Sequence, residues 1–355
     1  MKKIYILHEY GDPKHFTSLQ YYADNTGIDL NYKEFTPFKQ ICKGILRGNT
    51  SLIGKGTSNL LFIINAIFSK NKVIVLGAAP YDFHILLFLI LKRNHKVIYF
   101  SSWPYWHKEK YPKKIRFPYQ HLLWESFLRN IQAVMVSNVG AKNMLKYTEN
   151  IVQIPHSIDD KIFRNKNKNK NNKIKLNLLY VGRLTESKGI PVILELLDDP
   201  EIKEIFNMNI VGWGDLDNQI SEYARTRKNI NYYGRISSEE KLVEIYNEND
   251  IFLLPSQKTS DWEELFGIVL IEAMMCGLIS IASAHVGPKE IISNGLNGYL
   301  LENASKDNIK SILLRLYKDQ NKVNQIRKRA ILDASENYSI AINAKKWGQL
   351  LEGIL

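Results

Sequence analysis

Short apolar runs of strand length alternate with helix-length amphipathic patterns in both halves of the chain, and this alternation constrains the fold more than any other feature. The strand-like runs of the first half are residues 3–7, 72–76, 96–100, 133–136 and 151–154. Those of the second half are residues 176–181, 207–211, 230–233, 251–254 and 278–282. Strands that alternate with helices form parallel sheets covered by helices on both faces. The sequence therefore predicts an α/β protein with two doubly wound parallel sheets.

The boundary between the two predicted domains lies near a polar run, NKNKNKNNK, at residues 165–173. A run with nothing to bury is a linker or an exposed loop. We predict an N-terminal domain at residues 1–163 and a C-terminal domain at residues 164–335. A final helix at residues 336–355 is expected to pack back on the N-terminal domain.

The positive charge of the chain is concentrated in its first half. The net charge is +12, and residues 1–163 carry +11 of it. A basic domain suits an anionic partner, either a nucleic acid or an anionic membrane that holds a lipid-phosphate substrate. Charge that only keeps the protein soluble is the alternative. The polar run has no aromatic residues among its lysines, which argues against a nucleic acid.

Cysteine usage and apolar content indicate the compartment. The two cysteines, Cys42 and Cys276, are far apart and lack metal-ligand spacing, which suits a reducing compartment. The N-terminal segment MKKIYILHEYGD has too short an apolar run for a signal peptide. The longest apolar runs fall well short of the ~20 residues that span a bilayer. A cytoplasmic protein is expected, and a peripheral position on the inner face of the plasma membrane is compatible with this expectation.

The segment ELFGIVLIEAMMCG holds two carboxylates, Glu264 and Glu272, in a run that is otherwise apolar after Gly267. Two helical side chains at this spacing would point about 80° apart, so Gly267 is better explained as a helix start. The amides of Gly267, Ile268 and Val269 then lie between the carboxylates and can bind an anion. A diphosphate joined to two sugars fits this arrangement. The alternative, a buried helix with one snorkelling Glu, requires a costly buried carboxylate.

Two basic residues, Arg183 and Lys188, follow the first strand of the second half in the segment GRLTESKG. An Arg fork with a Lys close by, bounded by glycines, can clamp a diphosphate. Ligands of parallel sheets bind beyond the carboxyl ends of the strands. The pair is a stronger indication of a diphosphate site if it lies opposite the helix start at Gly267.

The segment Gly212-Trp213-Gly214 resembles part of a dinucleotide-binding fingerprint, but Asp217 stands where the third glycine belongs, which argues against NAD. Asp215 and Asp217 form a D-x-D pattern that binds metal in some sugar transferases. Both acids fall where a helix should begin, and acids are common there. No other cluster in the sequence has metal-ligand spacing, so no metal is expected.

An aromatic and basic loop, SSWPYWHKEKY, follows a strand of the first half and contains Trp103, Trp106 and His107. The tryptophans could meet the face of a sugar, or the loop could be packed with a solvent-facing His; both remain open. His156, in IPHSIDD, is expected to be a structural turn residue.

The chain resembles retaining glycosyltransferases of the GT-B fold, of the broad group 1 (family 4) kind. The resemblance is densest at residues 178–300 and includes YVGRLTESKG, NIVGWGD, NYYGRISSEEKLVEIYNENDIFLLPS, ELFGIVLIEAMMCG and GPKEIISNGLNGYLL, in the family's order. The first half matches only in pattern, through VSNVGAKNML and IPHSIDDKIF. The implied architecture is two Rossmann-like domains with an interdomain cleft, the first for the acceptor and the second for the donor.

The resemblance implies a role for each charged residue of the second half. Arg183 and Lys188 would stabilise the donor diphosphate as negative charge develops on the leaving nucleotide. Glu272 would bind the ribose hydroxyls, and Glu264 the hydroxyls of the transferred sugar. The implied reaction is a metal-independent transfer with retention at the anomeric carbon, driven largely by leaving-group electrostatics. The two glutamates are expected to bind rather than attack.

The resemblance also implies a donor-binding surface made largely of backbone. Its residues would be Gly11, Gly182, Gly212, Gly214, Arg235, Ile236, Phe266, Gly267, Ile268 and Val269. Arg235 and Ile236 would border the base. The expected donor is a UDP- or GDP-sugar, and no cofactor is expected.

The first half departs from the family pattern. Members usually present a His at the end of a middle strand, where this chain has FSSW, with His107 further along. His107 is therefore the catalytic candidate of this half, and Ser102, Trp103 and Trp106 are the acceptor-binding candidates.

The function that these expectations favour is sugar transfer to a lipid-linked glycan acceptor in bacterial surface polysaccharide (O-antigen or capsule) synthesis. One alternative is a sugar-nucleotide epimerase of the same fold, which would need water and no acceptor. Another is a non-catalytic nucleic-acid-binding protein, which would explain the charge but not the paired Glu and Arg/Lys sets. Salt-sensitive nucleic-acid binding without UDP or GDP binding would favour it. No nucleic acid is expected as a partner.

Overall fold

The structure, a computed structural model, describes residues 2–9, 13–106, 113–166, 176–260 and 262–355. The chain forms two compact units. Unit 1 contains Met1–His156 and Ile340–Leu355, and unit 2 contains Ser157–Ser339. The division therefore falls after His156, whereas the sequence placed it after residue 163.

Unit 1 is built on a six-stranded sheet in the order β2-β1-β3-β4-β5-β6, and every strand pair is parallel. Its strands are β1 (Lys3–His8), β2 (Asp29–Glu34), β3 (Val73–Gly77), β4 (Lys96–Ser101), β5 (Gln132–Met135) and β6 (Ile151–Gln153). The central strand β3, VIVLG, is buried along its whole length, as expected for a strand covered on both faces.

The helices of the first part of unit 1 are α1 (Thr17–Thr26), α2 (Pro37–Leu46), α3 (Thr50–Phe68), α4 (Ile85–Asn94), α5 (Gln120–Leu128) and α6 (Asn138–Met144). α3 is the one helix of the described residues that is long and apolar enough to cross a membrane, and 28% of its apolar window is buried. It packs closely on α2, and Asn49 caps it by accepting a hydrogen bond from the Leu52 amide at 3.0 Å.

Unit 2 repeats the plan with a sheet in the order β12-β11-β10-β7-β8-β9, again parallel throughout. Its strands are β7 (Leu176–Arg183), β8 (Phe206–Trp213), β9 (Ile230–Tyr232), β10 (Ile251–Leu254), β11 (Ile279–Ser283) and β12 (Gly298–Leu301). Its helices are α7 (Ile190–Leu197), α8 (Pro200–Ile205), α9 (Asp217–Arg225), α10 (Glu239–Glu248), α11 (Ile268–Met275), α12 (Val286–Ile291), α13 (Lys306–Lys318) and α14 (Gln320–Tyr338).

The last helix, α15 (Ile340–Glu352), belongs to unit 1, where it packs on α1. A Cβ added at Gly348 would lie 2.8 Å from the Tyr22 ring, so the two helices approach closely there.

The strand order reverses between β1 and β3 in unit 1 and between β7 and β10 in unit 2. In open parallel sheets, ligands bind outside the carboxyl ends of the strands at such a switch point. The prediction of two doubly wound parallel sheets is confirmed, and the switch points indicate where each unit presents its ligand side.

Candidate functional site

The helix start predicted at Gly267 is confirmed, and it lies beyond the carboxyl end of β10. Gly267 is the N-cap of α11 with a φ of 92°, a conformation that a side chain would strain. Leu270 donates its amide proton to the Gly267 carbonyl at 2.9 Å. The amides of Ile268 and Val269 precede this first intrahelical bond and face the end of the helix. Glu272 lies in the second turn, as expected.

Lys188 and Glu264 meet at the β7/β10 switch point. The Lys188 ammonium lies 2.5 Å from a Glu264 carboxylate oxygen, and the two side chains are only 14% and 12% exposed. The ammonium also lies 4.9 Å from the centre of the Trp262 ring. A pair this well covered is little screened by salt. It joins the loop after β7 to the loop before α11, so the two charged candidates form one cluster.

His285 and Gly287, which sequence reasoning missed, hold the backbone of Glu264. The Glu264 amide donates to His285 Nδ1 at 2.9 Å, and the Glu264 carbonyl accepts from the Gly287 amide at 3.0 Å. Burial lowers the pKa of His285, although the carboxylates of Glu263 and Glu264 act in the opposite direction. A neutral imidazole that accepts at Nδ1 is therefore the expected form. The available signal was a His two residues before Gly-Pro, just after a strand, in SAHVGP.

Arg183 ends β7 at the same edge, with an exposed side chain. Its carbonyl accepts a hydrogen bond from the Tyr180 hydroxyl at 2.6 Å. Burial raises the pKa of Tyr180, the charge of Glu264 raises it further, and that of Arg183 lowers it. Tyr180 therefore lies within electrostatic reach of both charged candidates.

The glycines around Trp213 bring β7, β8 and the segment after β9 close together. Gly182 pairs with Gly212 in the sheet register, and the Gly212 amide donates to the Gly234 carbonyl at 2.9 Å. The Arg235 guanidinium lies 5.4 Å from the centre of the Trp213 ring, which is 53% exposed. Trp213 was not predicted as a binding residue, yet its ring is a platform on which a flat group can stack.

Glu272 is anchored from α10. The Tyr246 hydroxyl donates to a Glu272 carboxylate oxygen at 2.8 Å. Burial raises the pKa of Tyr246 well above its ordinary value, and the Glu272 charge adds to the effect. The tyrosine therefore remains a donor and fixes the half-buried carboxylate near the α11 start.

The other predicted positions of unit 2 lie at the same edge. Gly214 follows β8, Ile236 follows Arg235, and Phe266 is buried directly before Gly267. Asp217 starts α9 and accepts a hydrogen bond from the Tyr232 hydroxyl. Among the described residues no group of three or more His, Cys, Asp or Glu side chains could hold a metal ion.

The acceptor-binding candidates of unit 1 have different environments. The Ser102 hydroxyl lies 3.1 Å from Nε2 of the buried His156, and the Trp103 amide donates to the Ser101 hydroxyl at 3.1 Å. Trp106 is 4% exposed and packs on Tyr99 in the core, so its ring is a core element rather than a surface for a sugar. His107 and Gly11 lie outside the described residues.

The two six-stranded parallel sheets, each with its ligand side at a switch point, can be compared with those of solved structures. Anabaena HepE, solved in complex with UDP, superposes with a TM-score of 0.66 at 14% identity, covering 99% of this chain and 100% of that one. At this identity the likeness shows the fold alone, which is GT-B, the two-domain fold of many glycosyltransferases.

The sequence comparison is more specific. Residues 160–333 match the family described as glycosyl transferases group 1. The matched part of the chain contains Arg183, Lys188, Glu264 and Glu272.

Two curated relatives extend the comparison. A 41.2 kDa protein in the cps region of Klebsiella pneumoniae is 31% identical over 168 residues, 47% of this chain and 44% of that protein. The amylovoran biosynthesis glycosyltransferase AmsK of Erwinia amylovora is 33% identical over 146 residues, 40% of this chain and 36% of that protein. The matches span less than half the length of these relatives.

Proposed function

We propose that this protein transfers a sugar from a nucleotide-sugar donor to a lipid-linked glycan acceptor, with retention at the anomeric carbon. The observation that carries the proposal is the cluster of Lys188, Glu264 and the α11 start at the β7/β10 switch point. Neighbours of the same fold that were solved with UDP and with UDP-glucose support a nucleotide-sugar donor. The relatives from the cps region and from amylovoran biosynthesis support surface polysaccharide synthesis.

The donor diphosphate would lie over the amides of Ile268 and Val269 at the start of α11, where the helix dipole favours negative charge. Arg183 and Lys188 would add two cations that strengthen their contacts as the nucleotide leaves. Stabilisation of charge that develops in the transition state is commonly the largest contribution to catalysis.

The two carboxylates would bind hydroxyls. Glu272, fixed by Tyr246, would accept from the ribose, and Trp213 with Arg235 would border the base. Glu264 already accepts a charge-assisted hydrogen bond from Lys188, which suits a group that positions the sugar rather than one that attacks it. We propose that no metal ion takes part, because protein cations and helix amides supply the positive charge.

The cellular setting follows from the acceptor. A lipid-linked glycan is held in a membrane, and the concentration of positive charge in residues 1–163 suits an anionic surface. We propose a cytoplasmic protein that acts at the inner face of the plasma membrane.

The test is donor turnover followed by ¹H NMR, with UDP- and GDP-sugars, in the presence and absence of EDTA. We expect donors of one nucleotide series to be consumed, at the same rate with and without EDTA. The sugar that is first released from the donor should keep the anomeric configuration that it had in the donor. Release of the opposite anomer would contradict retention. Appearance of an epimeric sugar or sugar nucleotide would favour the epimerase, and no consumption of any donor would contradict the proposal.

A further inference from the structure

Unit 1 holds a cavity of about 980 Å³ at the carboxyl ends of β1, β2 and β3. Glu9 follows β1, Phe35 follows β2, and Asp82 lies between β3 and α4. The cavity therefore lies on the ligand side of the sheet, next to its switch point. Its volume is in the range of small-molecule sites, about 300–1,000 Å³. Ser102, Trp103 and Trp106 are not among the described residues that line it.

One side of this cavity is apolar and includes an exposed side chain. Phe38, in the first turn of α2, lines the cavity and is 68% exposed, and Leu60 and Ile63 of α3 line the same side. Large apolar side chains are also exposed further along the two helices, at Ile45, Leu46, Leu61, Ile64 and Phe68. An apolar surface that spans two packed helices is typical of a site for a lipid or a partner.

The rest of the lining is rich in charge. The charged residues are Lys39, Lys113, Lys114 and Arg116, with two acids, Glu9 and Asp82. Both acids have partners within the wall: Lys113 lies 2.7 Å from Glu9, and His84 Nδ1 lies 2.6 Å from Asp82. Burial raises the pKa of Asp82, but the hydrogen bonds from His84 outweigh it and leave the pKa lowered. The cations outnumber the acids, so an anionic ligand is favoured.

At two places in the cavity, groups that attract an anion lie beside apolar groups. The Arg116 guanidinium lies 4.6 Å from the centre of the Phe83 ring, which puts a phosphate-binding group beside an apolar surface. The N-terminus of α2, from Thr36 to Lys39, also lines the cavity and adds the positive end of a helix dipole. A ligand with a phosphate joined directly to an apolar chain would satisfy both sides at once.

We propose that this cavity binds the phosphate end of a lipid-linked acceptor, with the phosphate at Lys39, Lys114 and Arg116 and the alkyl or isoprenyl chain along the α2–α3 side. The role of the ligand as acceptor rests on the proposed function. Binding of the anionic amphiphile depends on unit 1 alone. A neutral amphiphile lacks the charge that the cations attract, and inorganic phosphate leaves the apolar side uncovered.

The test is calorimetric titration of the full chain with dodecyl phosphate below its micelle concentration, alongside inorganic phosphate and dodecyl maltoside. The informative variants are Arg116→Glu and Phe38→Glu, since both side chains are exposed and their replacement is expected to change stability little. The matched controls are Lys142→Glu and Leu145→Glu, an exposed cation and an apolar side chain that is 58% exposed, both at α6. UDP and GDP binding is measured on the same preparations.

We expect dodecyl phosphate to bind more tightly than either comparison ligand. Both cavity variants should weaken it by about tenfold or more, equivalent to one lost charged or apolar anchor, and the controls should leave it unchanged. The proposal is overturned if dodecyl phosphate does not bind, if dodecyl maltoside binds equally tightly, or if the control variants lose as much affinity for dodecyl phosphate as the cavity variants. If dodecyl phosphate binds as expected but no nucleotide does, the cavity stands and the proposed sugar transfer fails.

Discussion

Units 1 and 2 share one parallel-sheet plan but build their ligand sides differently. In unit 2 the switch point carries a compact set of charges and backbone amides, with Lys188 and Glu264 in contact and Glu264 held at both its amide and its carbonyl. In unit 1 the cavity has an apolar side open to solvent and a side rich in cations. The first arrangement suits a diphosphate of constant geometry, and the second a flexible amphiphile.

The largest expected effect comes from the charge cluster of unit 2. Lys188→Ala should lower kcat by about 100-fold or more, the usual cost of losing one preorganised group that stabilises developing charge. Donor KM should change much less. Steady-state kinetics on the consumed donor would measure both. Lys258→Ala is the control. Lys258 also forms an ion pair with a glutamate, Glu263, but its side chain is exposed. Equal loss in both variants would remove the distinction between the two lysines.

The backbone of the unit 2 site should be intolerant of added volume. A Cβ at Gly287 would lie 2.3 Å from the Phe266 nitrogen, so Gly287→Ala should lower the free energy of unfolding by about 1–3 kcal/mol. At Gly54, on α3 of unit 1, a Cβ meets nothing within 4 Å. Gly54→Ala should therefore be neutral or stabilise by up to about 1 kcal/mol. Urea unfolding compares the two, and a tolerated Gly287→Ala would contradict the tight packing.

A smaller effect is expected at Glu272, the carboxylate that we propose binds the ribose. Glu272→Ala should weaken nucleotide binding by about tenfold, equivalent to about 1.4 kcal/mol. Glu272→Gln keeps a hydrogen-bond acceptor for Tyr246 and should lose less. Calorimetric titration with the preferred nucleotide measures all three proteins. Unchanged affinity in Glu272→Ala would remove this residue from the site.

The last effect concerns the pH dependence of the stability of unit 1. Burial, with a contribution from His15, lowers the pKa of His156 to about 3. The unfolded chain takes up a proton below about pH 6.5 while the folded chain does not, so stability falls as pH drops from about 6.5 toward 3. The slope from this group is at most about 1.4 kcal/mol per pH unit. Urea unfolding between about pH 7 and pH 5 should show a shallower slope for His156→Gln, and an identical slope would contradict the assignment.

The sequence predicted the buried strands well because they are continuous apolar runs. It did not predict β2, DLNYKE, an edge strand with few apolar residues, or β12, GYLL, which is short and follows a loop. It also missed α14, a largely polar helix whose buried residues, such as Val323 and Ala330, are widely spaced. The apolar helical pattern of residues 59–68 predicts only the second half of α3, which begins at Thr50, because Gly54 and Gly56 interrupt the pattern before it.

The α11 start and the carboxylates on either side of it could be placed from the sequence because Glu264 and Glu272 are close in sequence to Gly267. The support from His285 could not, since a hydrogen bond to the Glu264 amide across 21 positions leaves no local pattern. The unit 1 cavity was missed for the same reason: Glu9, Phe35 and Arg116 come together only through the sheet.

The most direct test of the proposed donor site is calorimetric titration of UDP, GDP, ADP and CMP into the wild-type protein and into Glu272→Ala, with and without EDTA. The account predicts that one diphosphate binds the wild type, equally well with EDTA, and binds Glu272→Ala more weakly. Binding that EDTA abolishes, or no binding of any nucleotide, would contradict it.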